Sequence, residues 1–149
     1  MAHTHENDIK VINSLIATTL DSMKGYRDAC EDTNGTHSQL FLSMADERSR
    51  VASDLQAHVR SHGGEPEDHS TTSGALHRGF MNLKDAVTGS DDKAVINEVE
   101  RGEDHIKDKY ETALKDENLS PDCRAVVERA YQSVREGHDR VSAIKHATA

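Results

Sequence analysis

The chain has 149 residues, enough for about one domain, and its 18 Lys and Arg against 27 Asp and Glu leave a formal charge of −9. That balance argues against nucleic acid, which demands a basic stripe to displace counterions, and against docking on an anionic membrane surface. Three Tyr, two Phe and no Trp are poor material for a β-sandwich or barrel, and apolar runs no longer than Leu40–Leu42 cannot span a bilayer.

The opening MAHTHENDIK contains no apolar h-region, so no secretory signal is expected there. The class that remains is a cytoplasmic, acidic, helical domain. Periodicity carries the helices. Over residues 7–31 the positions Ile9, Ile12, Ile16, Thr19, Met23, Tyr26 and Cys30 alternate three and four apart, one face of a helix. Asp32-Thr33-Asn34-Gly35 breaks it. A second seam, Phe41, Met44, Arg48, Val51, Leu55 and Val59, predicts a helix over 37–62, stopped by His62-Gly63-Gly64-Glu65-Pro66. Residues 64–73 are polar and are expected to be the least ordered stretch outside the termini. Ser73 then caps a shorter predicted helix over 73–88 that carries Leu76, Phe80, Leu83 and Val87. Ser90-Asp91-Asp92 opens a helix predicted over 91–117, with Val99, Glu103, Ile106 and Tyr110 on its face. Ser120-Pro121, an N-cap followed by proline at the first helical position, opens the last over 121–146, with Val127, Tyr131, Val134, His138 and Val141.

Length decides the topology. Four long helices of about 25 residues each span roughly 37 Å, and the short one covers roughly 22 Å. Helices one and two are read as one antiparallel hairpin and the last two as another. Residues 64–90 then climb from the bottom of the first hairpin to the top of the second, the single long crossover of ferritin-like bundles. The expected fold is all-α, a four-helix bundle with a short fifth helix in its crossover; the rival is a simple up-down bundle whose middle helix extends the next, and the Gly89-Ser90 break weighs against it. This arrangement places Cys30 at the top and Cys123 at the bottom, beyond the roughly 7 Å Cα separation that a disulfide allows, so two free thiols are expected. Cys123, near a helix N-terminus, could carry a lowered pKa.

Polar residues interrupt the seams at mid-height. Thr19, Arg48, Glu103 and His138 occupy core-type positions, with Glu100 and Tyr131 close by. An unpaired buried charge costs several kcal/mol, so these groups are expected to meet in one buried network: Arg48 with Glu100 and Glu103, and Thr19, Tyr131 and His138 as hydrogen-bond partners. The alternative is an iron site built from Glu100, Glu103 and His138, with Glu47 or Asp46 as a fourth ligand, because hard ions draw clustered carboxylates and imidazole. A di-iron bundle takes a Glu from two helices and Glu-x-x-His from the other two. Here no Glu-x-x-His lies at mid-height, the first helix offers only Ala17, Thr18 or Thr19, and Arg48 adds a cation. The His-rich pieces (His3 and His5, His58 and His62, His69) are read as surface residues. Gly102, mid-helix at a cost of about 1 kcal/mol relative to Ala, implies a close helix contact or space for a side chain such as Tyr26 or Tyr131. No phosphate loop, dinucleotide fingerprint or hydrolase elbow is present.

The phrases Gly25-Tyr26-Arg27-Asp28-Ala29, His62-Gly63-Gly64-Glu65-Pro66, Gly74-Ala75-Leu76-His77-Arg78-Gly79-Phe80 and Glu98-Val99-Glu100-Arg101-Gly102-Glu103-Asp104, with His138-Asp139, resemble an uncharacterised family of bacterial ferritin-like four-helix bundles. The resemblance runs from about residue 8 to 145. It implies the crossover fold and a bacterial cytoplasmic setting, sometimes linked to stress responses, and it implies no established activity. The reading with most support is a non-enzymatic bundle with a structural or stress-associated role and no cofactor. Iron binding is the alternative. A homodimer, or a protein partner bound near 64–73, is the assembly this reading leaves open.

Overall fold

A computed structural model describes residues 2–32, 38–68 and 92–148. They form four helices and no strand: α1 Ala2–Asp32, α2 Ser38–Ser61, α3 Asp92–Leu114 and α4 Pro121–Thr148. The predicted helix over 73–88, with its Ser73 cap, lies outside the described residues. No helix among those described is long and apolar enough to cross a membrane.

Local chemistry sets the ends. α2 stops at Gly63, whose φ of 77° is open to glycine at no steric cost. The Gly64 N–H donates to the Val59 carbonyl and the Gly63 N–H to that of Arg60, the paired closure of a Schellman motif. α3 ends at Leu114, earlier than residue 117, because Arg124 folds back. Its guanidinium donates to the Leu114 and Asp116 carbonyls, satisfying acceptors that a helix end leaves bare. α4 starts as predicted: Ser120 Oγ accepts the Cys123 N–H. Asp8, from the start of α1, accepts from both the Ser120 N–H and its hydroxyl, at 3.1 and 2.6 Å.

Those contacts orient the bundle. Asp8 and Asn7 of α1 meet Ser120 and Asp116, so α1 begins at the end where α3 finishes. α1 packs mainly on α2 and α3 on α4; α1 also packs on α3 and α2 on α4, whereas the α2 and α3 backbones stay apart and meet through long side chains. α2 and α3 are therefore diagonal, and α2 ends at the bottom while α3 begins at the top. That is the long-crossover arrangement the helix lengths predict.

The stretch after α2 departs from its expected looseness. Asn13 Nδ2 donates to the Glu65 carbonyl and Asn13 Oδ1 accepts the Glu67 N–H, while Gln56 Nε2 donates to the Glu67 carbonyl. Side-chain amides from two helices pin this backbone as a third strand of chain would. Residues 69–73 lie outside the described residues.

The core falls into two parts. The lower contains Ile12, Leu15, Ile16, Val51, Leu55, Ile106, Val127 and Val134; the upper contains Tyr26, Phe41, Met44, Val99 and Val141. Cys123 belongs to the lower cluster and Cys30 packs on the upper one, both as free thiols. Between the clusters lies a polar layer.

Candidate functional site

Arg48 of α2 and Glu103 of α3 occupy that layer, both 0% exposed. Arg48 Nη2 donates to Glu103 Oε1 at 2.6 Å. Tyr26 of α1 reaches down from the upper cluster, and its hydroxyl donates to Glu103 Oε2 at 2.8 Å. The fourth wall is Gly137 of α4: a Cβ there would lie 2.7 Å from Arg48 Nη2, 2.8 Å from Met44 Cε and 3.3 Å from Glu103 Oε1. Each helix thus supplies one piece, and α4 supplies an absence of side chain. Burial pushes the Glu103 carboxyl above its ordinary range, and the Arg48 guanidinium followed by the Tyr26 hydrogen bond pulls it back. Arg48 cannot lose its proton, so the ionised carboxylate is the form that leaves no unpaired cation in the core. Tyr26 is held well above its usual value of 10.0 by burial first and by Glu103 next. Arg48 Nε and Nη1, also buried, donate to no acceptor among the described residues.

Thr19 lies lower. Its hydroxyl donates to the Leu15 carbonyl at 2.7 Å, which uses its only proton. The 2.7 Å contact with Tyr110 is therefore donated by the tyrosine. Burial pushes Tyr110 up to about 12 despite that bond. Both buried tyrosines consequently favour the neutral form in the folded state. A group whose folded pKa exceeds its unfolded one stabilises fully below the unfolded pKa and loses that contribution as pH rises through the folded pKa. For Tyr110 the window runs from 10.0 to about 12, and its two units correspond to about 3 kcal/mol. The expected result is tyrosinate absorbance that stays low past pH 10 and then rises together with alkaline unfolding, followed by near-ultraviolet titration and circular dichroism. Phenolate absorbance rising around pH 10 in the intact fold by more than one tyrosine, the flank residue Tyr131, can supply would refute it.

The network is smaller than expected, and four predicted members sit elsewhere. Glu100, one helical turn above Glu103, points towards the end of α4 and pairs with Lys145 at 2.7 Å rather than with Arg48. His138 follows Gly137 by one residue, so its side chain swings off the core face. Its Nε2 contacts Asp104 at 2.6 Å, with Asp139 at 3.4 Å from Nδ1. Tyr131 donates to Glu111 at 2.6 Å on the flank. Glu47 pairs with Arg140 at 3.2 Å, and Asp46 is exposed. Glu100, Glu103, His138 and Glu47 therefore do not converge. Among the described residues no group of three or more His, Cys, Asp or Glu is placed to hold a metal ion. The His58 and His62 rings meet at the end of α2 with centroids 4.4 Å apart and planes tilted by 54°. Cys123 is not activated: burial, followed by Asp8, pushes its thiol up to about 12, which overrides the helix N-terminus.

Three members escaped the sequence reading. Tyr26 and Tyr110 look like ordinary core positions in an apolar seam, though a buried tyrosine hydroxyl needs a partner. Gly137, mid-helix like Gly102, carries the same sequence signal of a close contact. Gly102 is itself buried.

Crossover topology and a polar centre define a ferritin-like four-helix bundle. The chain belongs to the family described as domain of unknown function DUF2383, whose profile matches residues 7–116. A crystal structure of ferritin-like, diiron-carboxylate proteins from Bacillus anthracis str. Ames superposes with a TM-score of 0.71 over 97% of this chain and 99% of that chain, at 14% identity. That likeness is one of fold. No curated protein matches the chain.

The residues at the centre of this bundle do not fit a di-iron group. Such a centre takes carboxylates from all four helices and imidazole from two. Here the four helices contribute a tyrosine and a threonine, an arginine, one carboxylate and a glycine. A fixed guanidinium 2.6 Å from Glu103 repels a metal cation from the oxygen that would bind it.

Proposed function

We propose that this chain is a non-enzymatic bundle, structural or stress-associated, in which a protein cation takes the central place that metal ions hold in di-iron bundles. The Arg48–Glu103 pair supports the reading, because the charge that would draw iron is already neutralised. The stress association rests on the resemblance of its sequence phrases, and the bacterial cytoplasm is the setting that resemblance implies. The test is metal content by mass spectrometry after anaerobic incubation with Fe(II) and desalting. The expected result is far less than one iron per chain, unchanged in Glu103→Gln. One or two irons retained per chain, and lost in Glu103→Gln, would replace this reading with an iron-binding one.

A further inference from the structure

Between α2 and α4 the bundle opens into a groove of about 700 Å³. Its floor is Val51, Leu55, Val126 and Ala130, and its rims carry Arg50 and Asp54 from α2 and Arg129 and Glu136 from α4. All four rim charges are exposed, and among the described residues none makes an ion pair or hydrogen bond. These four unpaired charges around an apolar floor differ from the end of the groove, where Glu47 is matched by Arg140, and from the Glu100–Lys145 pair beyond it.

The order of the charges carries the argument. Arg48 lies against Gly137, and Glu47 meets Arg140, which fixes the relative height of two antiparallel helices. Counting away from that level at equal rise brings Arg50 level with Glu136 and Asp54 level with Arg129, to within a turn. Each rim is therefore the charge complement of the other at the same height. A two-fold axis along the groove keeps heights and exchanges sides, laying α2 of one copy over α4 of the other. Arg50 then meets the partner's Glu136 and Asp54 the partner's Arg129, and each pair forms twice, as an isologous interface requires. We infer that the α2–α4 groove is the seat of a second copy of this chain. The chain's own continuation is a poorer occupant, because it leaves α2 towards α1, where Asn13 and Gln56 hold Glu65 and Glu67. The charge of −9 per copy opposes approach at long range. Screening beyond about 8 Å at physiological salt leaves the local pairs to set the register.

Two variants and their mixture test this, read by native mass spectrometry and sedimentation across a concentration series. R50E/R129E makes both rims acidic, and D54K/E136K makes both basic. The positions are exposed, so circular dichroism should match the parent in both. The wild-type chain is expected to dimerise. Each variant should lose dimer by about 100-fold or more in dissociation constant, from lost pairs and like-charge contacts. An equimolar mixture should form the heterodimer. A monomeric wild-type chain would overturn the inference and leave the groove to a different partner. So would variants that dimerise like the parent, or a mixture that stays monomeric.

Discussion

Arg48→Met should destabilise the bundle by about 3–5 kcal/mol, the loss expected when one partner of a buried pair is removed and the other charge is left behind. The stranded group is Glu103, fully buried, which loses the guanidinium that pulls its pKa down. Its folded pKa therefore rises further, and the sign of the pH dependence follows. A carboxyl whose folded pKa lies above its unfolded value stabilises below the unfolded pKa and loses that contribution as pH rises through the folded one. The variant should thus be closest to wild type in mild acid and weakest at neutral and alkaline pH. The double variant Arg48→Met/Glu103→Gln separates the pair from its desolvation. Gln keeps a carbonyl oxygen for the Tyr26 hydroxyl and removes the charge. Arg48 is bonded through Nη2 alone, with Nε and Nη1 unsatisfied, so a large desolvation penalty is met by a single contact. Replacing such pairs by neutral residues is often neutral or stabilising. Chemical denaturation should place the double variant level with wild type or above it; a double variant as weak as Arg48→Met would show that the pair itself holds the fold.

Gly137→Ala should destabilise by about 1–2 kcal/mol, against the helix propensity of alanine, which favours the change by about 1 kcal/mol. The added methyl would meet Met44 Cε at 2.8 Å and Arg48 Nη2 at 2.7 Å. Met44 is pliable and can turn aside. The guanidinium is held by its 2.6 Å bond to Glu103 in a fully buried site, where overpacking costs roughly 1–3 kcal/mol. The clash wins as long as the arginine is present. In an Arg48→Met background the obstacle is another flexible side chain, and the same substitution should become neutral or stabilising. That reversal of sign, measured as a double-mutant cycle, distinguishes a steric contact with the ion pair from a general dislike of bulk on α4. Equal effects in both backgrounds would disprove the coupling.

Much of the fold is legible in the sequence, because helix faces and helix ends are local properties. The three-four spacing from Ile9 to Cys30 names α1 and its buried stripe. Ser120-Pro121 marks the start of α4 to the residue, and Gly63 its positive-φ stop for α2. Helix length then forces the crossover, since a chain that ends at the bottom must restart at the top. Arg48 and Glu103 are recognisable for the same reason: a charge inside an apolar seam must be met by its opposite, and helical rise puts these two at one height.

Which side chains complete the site depends on the tertiary structure. Glu100 and His138 lie within a turn of the central layer in sequence, yet about 100° of helical rotation per residue carries them to Lys145 and Asp104 at the rim. Tyr26 belongs to the upper apolar cluster and reaches Glu103 only with the hydroxyl at the tip of its ring. Four amphipathic helices, their order and a mid-height demand for charge compensation follow from local sequence, because periodicity and capping act within a few residues. Only the packed bundle decided that the compensation is one arginine, one carboxylate and one tyrosine against a glycine, because partner choice depends on rotation angles and distances between helices that no single helix contains.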